Sequence, residues 1–259
     1  MERLEEVIVP RDHRLPILDS DLHVLSVLSL REELVEIYQS YDWVYDLVRE
    51  QSEMGEIRGR HPVLTGVIGE RPIVVKRLFH GGSTASLWQD RFLSAKRAID
   101  LVEAARHLDE HEIPTPHLLF LAWVRQNGLV RVEAGFERLF GKDADHYFFE
   151  AERPPEDWKE KAGEIGALVA RLHTSQFEHG DLNMMNIFFT DDGEVFILDL
   201  DKAEMHSNHL GDTIRSRNVA RLERSIRKQG RLHGRDHHYV DGLVERVLRV
   251  YEEQTANRS

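Results

Sequence analysis

Apolar residues recur along this chain in two rhythms. Between residues 53 and 133 they gather in short β-branched and aromatic runs at 63–68, 73–78, 119–124 and 129–132. Turn chemistry separates the runs at Gly69-Glu70-Arg71-Pro72 and Gln126-Asn127-Gly128. One helical stretch, 95–111, interrupts them and stops at Ile113-Pro114-Thr115-Pro116. Past residue 133 the spacing becomes helical. Ile165, Leu168, Val169 and Leu172 fall at i, i+3, i+4 and i+7, which predicts an amphipathic helix over 158–173. Before residue 53, Leu22, Leu25 and Leu28, then Leu34, Ile37 and Tyr41, recur near helical spacing and predict one or two short helices. The pattern divides the chain into a helical lead-in at 1–52, a small β-rich lobe at 53–132 and a larger helical lobe at 133–259. A hinge is expected at Val132-Glu133-Ala134.

The densest chemistry lies in the helical lobe. His179-Gly180-Asp181-Leu182-Asn183-Met184-Met185-Asn186 has the form HxDxxxxN. An apolar run from Ile187, the turn Thr190-Asp191-Asp192-Gly193-Glu194, a second apolar run from Val195 and then Asp199 follow it. The Asp-Gly turn marks a hairpin, and a hairpin sets the start of its first strand beside the end of its second. Asn186 and Asp199 are therefore predicted to stand side by side, with Asp181 one loop away. So many acidic oxygens repel one another unless a divalent cation sits among them, and hard oxygen ligands favour Mg2+. In protein-kinase-like phosphotransferases the Asp of such a loop accepts the acceptor's hydroxyl proton, while the Asn and the later Asp hold magnesium on the phosphates of ATP. Asp181 is thus the expected base, and Asn186 and Asp199 the expected metal ligands. The bland alternative is a hairpin flanked by solvated turn acids. His179 is expected to hold the loop through hydrogen bonds rather than to move protons.

The small lobe offers nucleotide contacts. Lys76 ends the apolar strand Val74-Val75, where an ammonium meets the α- and β-phosphates. Gly55-Glu56-Ile57-Arg58-Gly59-Arg60 is a candidate phosphate loop, with Gly59 giving close backbone approach. It lacks the GxGxxG spacing, so an ordinary turn is the competing reading. An acid on the lone helix would orient Lys76; Asp100 and Glu103 share one side of that helix, and Glu103 has the longer reach. Glu133, in the expected hinge, is the remaining nucleotide contact.

Composition narrows the setting. No cysteine occurs among the 259 residues, so disulfides and thiolate metal sites are excluded. No apolar run approaches the roughly 18 residues of a spanning helix, and the acidic start Met1-Glu2-Arg3-Leu4-Glu5-Glu6 is unlike a signal peptide. A soluble, cytoplasmic protein is expected. With 46 acidic and 34 basic residues, the net charge of -12 argues against general nucleic-acid binding.

Several blocks together resemble a known family. They are Phe79-His80-Gly81-Gly82-Ser83, Glu112-Ile113-Pro114-Thr115-Pro116, the His179 loop, Ile197-Leu198-Asp199-Leu200-Asp201-Lys202-Ala203 and Arg215-Ser216-Arg217-Asn218-Val219-Ala220-Arg221-Leu222. Across residues 55–228 the chain looks like the lipopolysaccharide core kinases, which include the 3-deoxy-manno-octulosonic acid kinases and the heptose kinases. That resemblance implies an α+β, two-lobed protein-kinase-like fold and ATP-dependent phosphorylation of an inner-core sugar, with peripheral contact at the cytoplasmic face of the inner membrane. It gives phosphate binding to Lys76, the base to Asp181 and Mg2+ to Asn186 and Asp199. The chain departs from the family at the helix acid, whose place falls on Leu101.

Three absences narrow the acceptor further. Gly180 stands where kinases regulated by activation-loop phosphorylation usually carry Arg, and Asp201 where DFG has Gly. Only thirteen residues separate Asp201 from Arg215, which leaves little room for a peptide-docking platform. A small-molecule or glycan hydroxyl is the expected acceptor. Arg217, Arg221, Arg224 and Lys228 recur at helical spacing and predict a basic stripe opposite an apolar face of Val219, Leu222 and Ile226. The stripe grips an anionic glycolipid or sugar acceptor, or it is a solvated face paired to surface acids. An antibiotic-type phosphotransferase and a pseudokinase scaffold are the competing functions.

Overall fold

The computed structural model describes residues 3–7, 21–40, 43–51, 63–79 and 90–256. The chain forms two compact units, Met1–Val102 with Pro116–Arg138, and Glu103–Thr115 with Leu139–Ser259. The first is rich in strand and the second in helix, the α+β arrangement that the pattern predicts.

In chain order the first unit carries β1 (Leu4–Val7), β2 (Asp21–Val27), helices α1 (Arg31–Ser40) and α2 (Val44–Gln51), then β3 (Leu64–Ile68), β4 (Arg71–Arg77) and β5 (Arg91–Phe92). Helix α3 (Lys96–Glu110) begins in it, and β6 (Leu118–Gln126) and β7 (Leu129–Glu137) complete it. The described strands make one antiparallel sheet in the order β1-β2-β6-β7-β4-β3, with β5 also on β7. Asn127 and Gly128, at φ 50° and 80°, join β6 to β7. A two-residue hairpin turn with both central residues left-handed matches the twist of its strands, and Asn-Gly tolerates it at least cost. Ile73 and Val75 of β4 and Phe120, Ala122 and Val124 of β6 alternate onto one face, where Leu34 and Tyr38 of α1 and Val44 and Val48 of α2 bury them. Each such side chain removed from water contributes about 1.5–3 kcal/mol.

The lead-in departs from the helical expectation. Leu22 and Leu25 lie in β2, opposite Val124 and Leu121 of β6. Leu28 opens a 3-10 turn, and only Leu34 and Ile37 are on a helix; Tyr41 lies outside the described residues. The strand's buried members are Val24, Ser26 and Val27, and the leucines three apart masked that period of two. The residues expected at the hinge lie within a strand. Val132, Glu133 and Ala134 fall inside β7, hydrogen-bonded between β4 and β6, and the first unit runs on to Arg138.

The second unit takes the end of α3, then β8 (Gly141–Asp143), α4 (Ala144–Phe149), α5 (Trp158–Thr174), β9 (Phe177–Glu178), β10 (Ile187–Thr190), β11 (Val195–Ile197), β12 (Glu204–Met205), α6 (Asp212–Leu232) and α7 (His237–Ala256). Ile165, Leu168, Val169 and Leu172 of α5 are all buried, as their spacing requires. Two small sheets, β11-β10-β8 and β12-β9, frame the HxDxxxxN loop. Among the described residues no helix is long and apolar enough to cross a membrane.

Candidate active site

The loop leaves β9 at Glu178 and enters β10 at Ile187. His179 is buried and ties it at two points: its Nε2 lies 2.7 Å from the Leu198 carbonyl, and its Nδ1 accepts from the Asp181 N–H at 3.3 Å. An Nδ1 that accepts leaves the proton on Nε2, which donates to Leu198. Asn183 and Asn186 each donate a side-chain N–H to the Asp181 carbonyl at 2.9 Å, and Asn183 Oδ1 accepts from the Met185 N–H. The loop is therefore wound around the backbone of Asp181, whose carboxylate is left to make contacts of its own.

Both oxygens of that carboxylate meet cations. Lys202 Nζ donates to Oδ2 at 2.8 Å and Arg221 Nη1 to Oδ1 at 3.0 Å. Partial burial pushes the Asp181 carboxyl up, but the hydrogen bond and charge of Lys202, joined by Arg221, outweigh it and hold the group below the usual aspartate value. Arg221 also donates to the Gly180 carbonyl. Lys202 arrives through the β9–β12 pairing, which sets Glu204 against Glu178 and so brings the chain after Asp199 back to the loop.

The hairpin forms in the register its sequence predicts, with Ile187 opposite Ile197. The Leu198 N–H then donates to the Asn186 carbonyl at 2.8 Å, so Asn186 and Asp199 flank the open end of the hairpin. The other edge is held from the 103–115 segment, where Ile197 N–H donates to Pro114 and Thr115 Oγ1 donates to the Ile197 carbonyl. Asp199 is exposed and sits at φ 59°, a left-handed conformation that Asp adopts more readily than most residues. The donor set fits a hard divalent cation. Asn186 has committed its amide nitrogen to Asp181, which leaves its oxygen as the remaining ligand atom beside the Asp199 carboxylate.

The residues expected to bind nucleotide are placed unequally. Lys76 stands near the end of β4, half-buried, with its ammonium 5.2 Å from the centre of the Phe136 ring. Glu103 is exposed on α3, Asp100 is bound to Lys96 Nζ at 2.6 Å, and Leu101 is buried. Gly59 and the loop around it lie outside the described residues, as does most of the Gly81-Gly82 block. The Glu133 side chain is committed elsewhere. It is wholly buried and accepts from Tyr38 Oη at 2.7 Å and from the N–H groups of Val44 and Tyr45 at 3.0 and 3.1 Å. It anchors the start of α2 to the sheet, with both carboxylate oxygens engaged by donors of this unit. Burial drives its carboxyl up to about 7 in spite of those three donors and the nearby charge of Arg77.

The basic stripe divides in two. Arg217, itself exposed, reaches the buried Glu178 carboxylate and Arg221 reaches Asp181, while Arg224 and Lys228 are exposed beyond them on the helix. Leu222 and Ile226 supply the buried face of α6 and Val219 is half-buried. Sequence reasoning assigned no role to Lys202. The signal for it was present in Asp199-Leu200-Asp201-Lys202, a cation three residues past Asp199. Finding it required the pairing of two strands of two residues each, too short to read as a pattern.

The sequence model of the lipopolysaccharide kinase (Kdo/WaaP) family matches residues 47–251. The chain is 31% identical over 186 residues to the 3-deoxy-D-manno-octulosonic acid kinase of Xanthomonas oryzae pv. oryzae, an alignment covering 69% of this chain and 70% of that protein. The kinase of the same name from Xanthomonas campestris pv. campestris matches to the same extent. That of Xylella fastidiosa is 27% identical over 183 residues, with the same shares of the two chains covered.

Proposed function

Because this chain belongs to the lipopolysaccharide kinase (Kdo/WaaP) family, we propose that it transfers the γ-phosphoryl group of ATP to a sugar hydroxyl of the lipopolysaccharide inner core. The names of its relatives favour 3-deoxy-D-manno-octulosonic acid over heptose as the sugar phosphorylated. The observation that carries the reading is the winding of Asn183 and Asn186 around the Asp181 backbone, with Asp199 at the adjoining hairpin end. A loop fixed in this way keeps one carboxylate, one amide oxygen and a second carboxylate in a constant arrangement, and phosphoryl transfer depends mainly on positioning and charge.

In this reading Asp181 orients the acceptor hydroxyl and takes its proton. Lys76 grips the α- and β-phosphates, and Asn186 and Asp199 are the ligands for magnesium, which when bound neutralises charge on the phosphates. Glu103 is left without a defined task, since its family position is the buried Leu101. The protein acts from the cytoplasmic side, in peripheral contact with the membrane that holds its acceptor. Two cations on the base argue against a polycationic, antibiotic-type acceptor, which would meet repulsion at the point of reaction. The complete Asp181, Asn186 and Asp199 set argues against a pseudokinase scaffold. Transfer of labelled γ-phosphate to a panel of defined core oligosaccharides and aminoglycosides tests the reading. Label is expected on core sugars bearing 3-deoxy-D-manno-octulosonic acid; label on aminoglycosides alone, or on nothing, would overturn it.

A further inference from the structure

The two cations on Asp181 are held differently. Arg221 is doubly anchored, donating to Asp181 Oδ1 and to the Gly180 carbonyl, and α6 carries it at a fixed height along the loop. Lys202 lies outside any helix or strand, its side chain is 52% exposed, and among the described residues its ammonium hydrogen-bonds to Asp181 Oδ2 alone. The loop itself brings no cation near the base. Leu182 is buried, and Asn183 is consumed in holding the Asp181 carbonyl and the Met185 N–H. A hydroxyl placed against Asp181 would therefore have Lys202 as its nearest mobile positive charge.

We infer that Lys202 is a catalytic residue of the transfer, exchanging Asp181 for the transferring phosphoryl group, and that Arg221 is a positioning residue that keeps the base in place when Lys202 leaves. The inference rests on the kinase reading given above. In the step, the acceptor oxygen forms its bond to the γ-phosphorus while the bond from that phosphorus to the bridging oxygen of ATP breaks. The electron pair of the broken bond stays on the β-phosphate of ADP, and the hydroxyl proton passes to Asp181 Oδ2. Lys202 gives up no proton. It meets the charge spread over the equatorial oxygens, where a donor aimed at developing charge acts most strongly. Arg221, tied to the Gly180 carbonyl, stays behind so that the carboxylate does not rotate.

The test compares wild type with Lys202→Ala, Lys202→Arg and Arg221→Ala in the full-length chain. Lipid A carrying 3-deoxy-D-manno-octulosonic acid serves as acceptor, and magnesium-dependent ATP hydrolysis without acceptor is followed in parallel. Lys202→Ala should lower kcat about 10²- to 10³-fold at the pH plateau, with both KM values and the melting temperature little changed, and Lys202→Arg should recover part of it. Hydrolysis should fall in step. Arg221→Ala should keep more of the plateau rate and move the acidic limb of the kcat profile to higher pH, because the base has lost one of its two cations. If Lys202 only steadied Asp181, its removal would move that limb and leave the plateau within about threefold, a result that overturns the inference. Wild type that hydrolyses ATP but ignores the acceptor would refute the acceptor assignment, and the hydrolysis rates would then decide on Lys202. Wild type that does neither would bring down the kinase reading and this inference with it.

Discussion

The carbonyl oxygen of Lys202 occupies the space beside Gly180 so closely that a Cβ added there would lie 2.1 Å from it. Gly180 also sits at φ 71°, a left-handed conformation that costs other residues roughly 1–2 kcal/mol. Packing thus excludes every side chain from the position where regulated kinases carry Arg, and the same close approach brings Lys202 to Asp181. Gly180→Ala should lower the melting temperature by several degrees and reduce phosphoryl transfer at least tenfold. Differential scanning calorimetry with initial-rate kinetics would check both, and a variant equal to wild type in both would mean that the loop and the 200–203 segment are not coupled.

Asp199→Ala should remove magnesium-dependent nucleotide affinity. The Asn186 oxygen that remains carries no charge, and one neutral ligand holds magnesium poorly. Titration calorimetry with ATP, with and without magnesium, should show wild type strengthened by the metal and the variant indifferent to it.

Two buried groups should make the two units respond oppositely to pH. The Glu133 carboxyl is raised from 4.5 to about 7, mainly by burial. Between those values the folded chain holds a proton that the unfolded chain has released, so stability contributed at low pH is lost as pH rises towards 7. His173, beside Tyr251, is lowered from 6.5 to about 4 by burial and then by Arg215. There the unfolded chain holds the extra proton, so stability is gained as pH rises from 4 to 6.5. Hydrogen exchange corrected for its intrinsic pH dependence should show β7 amides losing roughly tenfold protection between about pH 5 and 7, and α5 amides gaining a similar factor. Glu133→Gln should flatten the first trend and His173→Gln the second, each leaving the other in place.

Arg217 and Arg221 are engaged by Glu178 and Asp181, so the exposed Arg224 and Lys228 are the part of the basic stripe expected to meet an anionic acceptor. Arg224→Ala with Lys228→Ala should raise the acceptor KM several-fold at low salt and leave the KM for ATP unchanged. The wild-type acceptor KM should climb towards that of the variant as salt is added, because exposed charges are screened within about 8 Å at physiological ionic strength. Equal acceptor KM values at every salt concentration would make these two residues a solvated face.

What the sequence disclosed follows the range of the interactions involved. The hairpin that pairs Asn186 with Asp199 is local, with an Asp-Gly turn between two apolar runs, and so is the α5 helix, whose period is unbroken from Ile165 to Leu172. The Asn127-Gly128 turn and both its strands were legible for the same reason. The misreadings depend on distant partners. Leu22 and Leu25 look helical until β6, about a hundred residues later, pairs with them as a strand. Glu133 reads as a hinge residue in the sequence, and only Tyr38, Val44 and Tyr45, about ninety residues earlier, explain why a carboxylate is buried at mid-strand. Arg217 and Arg221 were placed on the correct helix face, but that Glu178 and Asp181 occupy them is a tertiary fact no periodicity carries.

The account stands or falls on Asp181 as the group that addresses the acceptor. Single-turnover transfer of labelled γ-phosphate by Asp181→Ala, measured beside equilibrium ATP binding, tests this most directly. The account predicts a transfer rate roughly 10²- to 10⁴-fold below wild type with ATP affinity preserved. Transfer at the wild-type rate would contradict it.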